Sequence, residues 1–292
     1  MAVLVGGAPP AIGETAWCGP PEAGWAAVSY AEVSGLRMWY EWHGTGRPLV
    51  LLHGGFGSTD MFAPLLPALT ERRRVLAVDL QGHGRTADVG RPLRYESLAD
   101  DVAALIMRLG LPEVDVLGYS LGGGVGLRTA IQHPDLVGRL VVVSAPCRQQ
   151  GWYPETLTAM AQQDEAAGAR MRGTPAHRRY ARVAPRPAEW PRLWAKSGEL
   201  LRREYDWSAE VAALVLPTLL VFADADSVTT AHMVEFYGLL GGGHRDAGWD
   251  GTGRSAARLA VLPGLTHYDI LSSPALPAAV LPFLTHPAGP PG

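Results

Sequence analysis

The sequence predicts an α/β fold in which a mostly parallel sheet is flanked by helices and interrupted by a helical insertion. From about residue 48 to residue 145, short apolar runs alternate with stretches of helical periodicity, which is the order of a βαβ sheet. The alternation stops for about 70 residues and resumes at Thr218. A serine between two glycines, in Gly118-Tyr119-Ser120-Leu121-Gly122, stands where one strand passes into a helix.

Composition limits the class of protein. With 292 residues, 47% of them hydrophobic, and a net charge of −3, the chain can form one large domain and offers no electrostatic case for nucleic acid. No apolar run reaches the ~20 residues that span a bilayer, and the first residues lack a basic signal-peptide region, so we expect a cytoplasmic protein with no membrane partner. Cys18 and Cys147 are expected to be free thiols.

The chain is expected to open with a leader and a hairpin. Residues 1–24 are rich in Gly, Pro and Ala without apolar periodicity, which predicts a mobile leader outside the fold. Residues 25–42 alternate apolar and polar side chains on both sides of Ser34-Gly35, a pattern typical of an antiparallel hairpin.

The elements around the serine motif follow in regular order. Residues 48–52 form an unbroken apolar strand of the kind that a parallel sheet buries on both faces. The pattern then predicts a helix over about 60–70, a strand over 74–78, a helix over about 95–109, a strand over 113–118, a helix over about 121–132 and a strand over 139–144.

Residues 146–216, which we call the insertion, break this order. They contain helical patches, several prolines and four tryptophans but no apolar strand pattern, so we expect a helical cap, or lid, between two strands. The core, residues 25–145 and 217–286, then resumes. We expect a strand over 218–223, a helix over about 230–240, a strand over 258–262, a helix over about 274–284 and a loose tail over 287–292.

Ser120 is the best candidate nucleophile for steric reasons. A G-x-S-x-G sequence between strand and helix holds the serine on a sharp turn, where side chains at positions 118 and 122 would collide with neighbouring backbone. The turn exposes the hydroxyl at the edge of the sheet, and the helix that begins at about Leu121 directs its free N–H groups toward the same point.

A serine hydroxyl needs an adjacent base, and His267 is the favoured one of nine histidines. It follows the last strand, at the carboxyl edge where parallel sheets bind their ligands. His53 and His83 stand among glycines and are expected to brace loops.

A carboxylate must orient that histidine, and two candidates follow the strand over 218–223. We favour Asp226, with Asp224 as the alternative. Asp269 is too close to His267 in the chain to turn back easily, and the strand before the insertion ends in Ser144-Ala145-Pro146 without an acid.

The anion of a tetrahedral intermediate needs two backbone donors. Leu121, directly after the serine, is expected to supply one, and Gly55 or Phe56 in the loop after residues 48–52 the other. For substrate binding we expect Tyr119 and three tryptophans of the insertion, Trp152, Trp190 and Trp194, because large aromatic side chains either pack on the domain or line a pocket.

With these residues assembled, the chain resembles the α/β-hydrolase superfamily, in its lid-bearing serine esterase-like branch, from about residue 25 to 284. The motifs that carry the resemblance are His53-Gly54-Gly55, Asp79-x-x-Gly82-His83-Gly84, Gly118-Tyr119-Ser120-Leu121-Gly122-Gly123, Asp224-Ala225-Asp226 and Pro263-Gly264-x-x-His267. The resemblance implies the α/β-hydrolase fold. It disfavours epoxide hydrolases and haloalkane dehalogenases, which have an aspartate where this chain has Ser120.

The function expected from this resemblance is hydrolysis of a bulky apolar carboxylic ester through an acyl-enzyme. Alternatives are a lactonase for macrocyclic or aromatic lactones, an acyltransferase or perhydrolase, and a non-catalytic binding protein on the same fold. We expect a small-molecule substrate, no cofactor and no metal, while the sequence leaves the oligomeric state open.

Overall fold

The computed structural model describes residues 27–285, so the predicted leader and tail lie outside the described residues. Eight strands form one sheet in the order β1-β2-β4-β3-β5-β6-β7-β8. The strands are β1 Ala27–Val33, β2 Leu36–His43, β3 Arg47–Leu52, β4 Arg73–Val78, β5 Val114–Tyr119, β6 Val137–Val143, β7 Thr218–Ala225 and β8 Arg258–Thr266.

Strand pairing confirms a mostly parallel sheet. The predicted hairpin is β1 with β2, and β2 also pairs antiparallel with β4. The other five pairs are parallel. Because parallel strands end at a common edge, the segments after β3, β5, β6, β7 and β8 meet there.

Within residues 27–285, ten α-helices flank the sheet or form the insertion. They are α1 Leu66–Thr70, α2 Tyr95–Arg108, α3 Leu121–Gln132, α4 Pro154–Ala161, α5 Glu165–Arg170, α6 Pro175–Val183, α7 Trp190–Arg202, α8 Ser208–Ala212, α9 Thr230–Leu239 and α10 Ala275–Thr285.

Two element predictions were wrong in their boundaries. The helix expected over 60–70 is a 3₁₀ turn, Thr59–Phe62, followed by the short α1, because Pro64 lacks the N–H that a continuous helix would need. The last strand continues past Leu262 to Thr266. Pro263 is tolerated there because β8 is an edge strand, with one side free of pairing in the described sheet.

The core lies on both faces of the sheet. Alternate residues of β3 and β4 enter opposite clusters of buried side chains, with Val50 and Leu52 in one and Leu49 and Leu51 in the other. Strands buried on both faces explain the unbroken apolar runs in the sequence.

Between β6 and β7, the insertion contains the five helices α4 to α8. It is joined to the core by ion pairs, among them Lys196 Nζ with Asp88 Oδ2 at 2.6 Å and Arg182 Nη2 with Asp60 Oδ2 at 2.9 Å. Within the part of the chain that the structure describes, no helix has the length and apolar character to cross a bilayer.

Candidate active site

Ser120 occupies the turn between β5 and α3 with a backbone φ of 53°. The two glycines of the motif are required by close packing. A Cβ on Gly118 would overlap the carbonyl oxygen of Gly122, and a Cβ on Gly122 would overlap the carbonyl oxygen of Leu52. The sequence therefore folds this way because the neighbouring positions carry no side chain.

The structure brings Ser120, His267 and Asp226 together. His267 Nε2 lies 3.1 Å from Ser120 Oγ, and His267 Nδ1 lies 2.9 Å from Asp226 Oδ1. A carboxylate only accepts hydrogen bonds, so Nδ1 carries the proton and Nε2 is free to accept from the serine hydroxyl. This arrangement can remove a proton from Ser120 Oγ.

Asp226 is fixed by more than the histidine. Its Oδ2 accepts hydrogen bonds from Ser144 Oγ at 2.6 Å and from the N–H of Ala223 at 3.1 Å. Burial raises the pKa of Asp226, but the hydrogen bonds from His267, Ser144 and Ala223 outweigh it and hold the pKa below its usual value. The carboxylate is therefore ionised at neutral pH.

Ser144, whose hydroxyl donates to the Asp226 carboxylate, is not among the site residues predicted from the sequence. It follows β6 with φ 54°, and it was considered only as a position that lacks an acid. Its position could have indicated this contact, because Ser144 follows β6, and β6 pairs with the β7 strand that precedes Asp226.

The alternative acids are used elsewhere. Asp224 is exposed, and its Oδ1 accepts the N–H of Leu265 at 3.2 Å across the irregular end of the β7 and β8 pair. Asp269 Oδ1 accepts the N–H of Thr266 at 2.7 Å. Of the aspartates considered, the structure places Asp226 against His267.

Tyr119 ties the two halves of the site together. Its hydroxyl donates to the carbonyl oxygen of His267 at 2.6 Å, which joins the loop after β8 to the turn that carries Ser120. Burial raises the pKa of Tyr119 above its usual value, so the phenol remains a neutral donor. Tyr119 lines the cavity described below, but its hydroxyl is already engaged.

The loop after β3 makes a tight turn in which the N–H of Gly57 donates to the carbonyl of Gly54 at 3.1 Å. Phe56, at the corner of this turn, has φ 59°. Gly55, Phe56 and Leu121 all line the same cavity as Ser120. Leu121 is the first residue of α3, where backbone N–H groups are free of helical partners.

His53 and His83 are structural in this fold. His53 Nδ1 donates to the carbonyl of Gly54 at 2.7 Å, and its Nε2 accepts the N–H of Leu80 at 3.1 Å. Burial lowers the pKa of His53 to about 3 and that of His83 to about 4, so both rings are neutral.

Cys147 lies beside a histidine but has the properties of an inert thiol. It is free and buried, with Sγ 3.6 Å from His232 Nε2, and that nitrogen already accepts the N–H of Cys147 at 3.2 Å. Burial raises the pKa of the thiol to about 12. Cys18 lies outside the described residues.

A cavity of about 930 Å³ opens at Ser120 and His267. Its walls come from the sheet edge and from the insertion, and most of the side chains are apolar. The apolar lining includes Met61, Met160, Leu200, Leu201, Leu271 and Trp152. Three charged side chains also line it, Asp60, Glu155 and Arg179.

The tryptophans of the insertion divide into two roles. Trp152 lines the cavity, with its ring centroid 5.7 Å from that of His267. The prediction that Trp190 and Trp194 contact substrate is not supported by the geometry, since neither is among the described lining residues. Trp194 stacks on Phe56 at 4.5 Å, and the buried Trp190 lies 5.5 Å from the same ring. Both tryptophans therefore pack against the ring of Phe56.

No three His, Cys, Asp or Glu side chains within residues 27–285 are grouped in a way that could hold a metal ion.

Comparisons with known proteins agree with the fold. The sequence model of the family described as alpha/beta hydrolase fold matches residues 47–231, more than half of the chain. RutD of Caulobacter segnis, named as a carbamate hydrolase, is 41% identical over 111 residues, which are 36% of this chain and 42% of RutD. Soluble epoxide hydrolase of a Corynebacterium species is 38% identical over 113 residues, covering 39% of this chain and 40% of the relative.

The chain thus spans less than half the length of these curated relatives. The solved structure of E-2-(acetamidomethylene)succinate hydrolase is similar over a greater length, with a TM-score of 0.70 over 90% of this chain and 100% of that one. Its sequence identity is 22%, so this likeness concerns the fold alone.

Proposed function

The chain belongs to the α/β-hydrolase fold family, and we propose that it is a serine hydrolase that cleaves carboxylic esters through an acyl-enzyme at Ser120. The observation that carries the proposal is the hydrogen-bonded series Ser120, His267 and Asp226, with distances of 3.1 and 2.9 Å, at the floor of a largely apolar cavity.

In the proposed mechanism, His267 Nε2 takes the proton of Ser120 as Oγ attacks the carbonyl carbon of the ester. The negative charge that forms on the carbonyl oxygen is stabilised by the N–H of Leu121 and an N–H from Gly55 or Phe56. His267 then gives its proton to the departing alkoxide, which leaves Ser120 acylated. Water, deprotonated by His267, attacks the acyl group and frees the serine.

Asp226 makes this cycle possible by holding one tautomer. Its carboxylate keeps the proton on Nδ1 and stabilises the imidazolium that forms after proton transfer. Ser144 and the N–H of Ala223 hold the carboxylate in place, so Ser144 is a positioning residue in this mechanism.

The cavity supports a substrate with a bulky apolar part. A volume of about 930 Å³ exceeds what a short acetate ester needs, and the apolar lining favours burial of hydrocarbon or aromatic groups. A macrocyclic or aromatic lactone meets the same conditions. Acyl transfer or perhydrolysis would use the same residues with another nucleophile in place of water.

A carbamate is a second candidate substrate class, favoured by the 41% identity to RutD over 111 residues. Attack on a carbamate carbonyl needs the same serine, base and oxyanion donors. Epoxide opening is disfavoured, although one relative is named an epoxide hydrolase, because this chain has Ser120 in place of the aspartate expected for that reaction.

The experiment is a screen of esters, lactones, carbamates and amides with purified protein, using Ser120→Ala as the blank, together with stoichiometric labelling by a fluorophosphonate. We expect turnover of at least one ester or carbamate and one label per chain on Ser120. A correctly folded protein that neither reacts with the probe nor turns over any substrate would point to the non-catalytic alternative.

A further inference from the structure

Two residues of the insertion that line the cavity each carry a buried polar atom without a hydrogen-bond partner among the described residues. Ser197 on α7 is 6% exposed, and its Oγ has no partner among the described residues. Gln163, between α4 and α5, has a buried Oε1 that is also unpartnered within the described chain. Both residues line the cavity that opens at Ser120.

The two residues are neighbours, and their backbone is fixed. A Cβ on Gly198, the residue after Ser197, would overlap the carbonyl oxygen of Gln163, so the chain at Gln163 lies directly against α7. Arg202 Nη1 donates to the carbonyl oxygens of Gln163 at 3.0 Å and Ala161 at 3.1 Å, which holds this contact together. The pair is therefore a defined part of the cavity wall.

Apolar side chains of the same segments line the cavity beside the pair. Met160, Leu200 and Leu201 line the same cavity wall from α4 and α7. Buried polar groups are normally hydrogen bonded, because leaving one unpaired in apolar surroundings costs stability. A hydroxyl donor on α7 and an amide oxygen acceptor on the segment packed against it would both be satisfied by a ligand group that accepts and donates.

We propose that Ser197 and Gln163 form a polar subsite that binds an uncharged hydroxyl or amide substituent of the substrate, remote from the bond that is cleaved. The proposal rests on the hydrolase function above and names a feature of its substrate. A carboxylate does not fit equally well, because it cannot donate to Gln163 Oε1. The specific substrate is thus an apolar ester with one neutral polar group.

The test uses pairs of nitrophenyl esters of equal length, one ending in a hydroxyl or amide and the other in a methyl group, with a carboxylated ester as a third member. The readout is the ratio of kcat/KM between the polar and the methyl ester. We expect this ratio to fall about tenfold in Ser197→Ala and in Gln163→Leu. Ser208→Ala, a serine on α8 that is not among the described lining residues, should leave it unchanged.

Thermal stability gives a readout that does not depend on activity. Because Ser197 Oγ has no partner in the described structure, Ser197→Ala should keep or raise the Tm. A fall of several degrees would show that the hydroxyl is bonded within the insertion and would overturn the proposal. The proposal would also be overturned if the ratio of kcat/KM between the polar and the methyl ester were the same in both variants as in wild type. A wild-type preference for the carboxylated ester that is lost in both variants would overturn it as well.

Failure of the subsite differs from failure of the hydrolase function. An active enzyme with equal ratios in all variants overturns only the subsite. If the wild type hydrolyses neither ester of any pair and is not labelled by fluorophosphonate, the hydrolase function fails. The same polar and methyl compounds, tested for their shift of the Tm in wild type and Ser197→Ala, would then show whether the polar group is still preferred.

Discussion

Strained backbone marks the site at the scale of single residues. Within the described chain, the residues other than glycine with positive φ are Ser34, Phe56, Ser120 and Ser144. Ser34 belongs to a hairpin turn, whereas the other three surround the cavity or support Asp226. Such conformations cost roughly 1–3 kcal/mol each and persist where surrounding contacts enforce them. Here the enforcing contacts are the glycine packing around Ser120 and the ring stacking on Phe56.

Removal of the nucleophile or the base should abolish hydrolysis without unfolding the protein. We expect Ser120→Ala and His267→Ala each to reduce kcat by about 10⁴–10⁶, because the members of a triad act as a unit. The measurement is the steady-state rate on the best ester from the screen, with circular dichroism as the folding control. Retention of a tenth of the wild-type rate in either variant would rule out the mechanism.

The two aspartates near the end of β7 provide a matched pair. Asp226→Asn should lower kcat by about 10³–10⁴, since an amide stabilises the wrong histidine tautomer. Asp224→Asn should leave kcat within about threefold, because its exposed side chain accepts backbone N–H groups, among them that of Leu265, and an amide oxygen can do the same. A larger loss in Asp224→Asn would transfer the role of the acid to Asp224.

His53 should make the stability of the protein depend on pH. Burial lowers its pKa from the ordinary 6.5 to about 3, so below pH 6.5 the unfolded chain binds a proton that the folded chain does not. The contribution of neutral His53 is complete above pH 6.5 and declines as the pH falls toward 3.

The comparison is urea unfolding of wild type and His53→Gln at pH 7.5 and pH 5. We expect His53→Gln to lower the free energy of unfolding by about 2 kcal/mol less at pH 5 than at pH 7.5. The difference arises because, between pH 6.5 and pH 5, the unfolded wild type binds one proton that the folded wild type does not. An equal difference at both pH values would show that His53 is protonated in the folded protein.

At the scale of elements, glycine determines how closely α3 approaches the sheet. A Cβ added at Gly118 or Gly122 would overlap backbone atoms, and a Cβ added at Gly124 would overlap the ring of Tyr95. The helix therefore begins directly above the strand ends, with its N-terminus at Ser120. Any larger residue would displace the helix and its free N–H groups from the serine.

Gly122→Ala should destabilise the fold by about 3 kcal/mol or more, because the new Cβ would overlap the backbone of Leu52 and backbone cannot move aside as a side chain can. Gly90→Ala is the control, since a Cβ at Gly90 meets no heavy atom within 4 Å. The midpoint of urea unfolding measures both. Similar midpoints for the two variants would contradict the packing argument.

The ends of a helix or strand could be predicted where the residue pattern of that segment determines them. They could not be predicted where pairing with a neighbouring strand determines them. The helix over residues 121–132 was located from its apolar period and matches α3. The extension of β8 through Pro263 and Gly264 depends on pairing with β7 and on its place at the sheet edge. Neither property can be read from residues 258–266 alone.

At the scale of the whole molecule, topology joins residues that are far apart in sequence. Ser120 and His267 are 147 positions apart, and Asp226 and His267 are 41 apart. These three could be selected from the sequence because each follows an apolar strand of a parallel sheet, and such strands share an edge. To apply this rule, it is enough to know where the strands lie along the chain and that they are parallel.

The sequence could not assign the residues that the insertion turns inward. Trp152, Trp190 and Trp194 were equivalent candidates in the sequence, yet Trp152 lines the cavity while Trp194 stacks on Phe56. Ser197 and Gln163 gave no signal at all, because polar residues in a helical segment are ordinarily exposed. The packing of α4 to α8 against one another decides these orientations, and no short motif encodes it.

The position of β8 has a consequence for the biosynthesis of the protein. Ser120 and Asp226 follow β5 and β7, whereas His267 follows β8, the strand at the sheet edge and the last strand in the described part of the chain. A nascent chain that has already formed the serine turn therefore has no base beside it. In the proposed mechanism Ser120 would therefore lack its base until β8 docks on β7, and hydrolysis would begin only after that step.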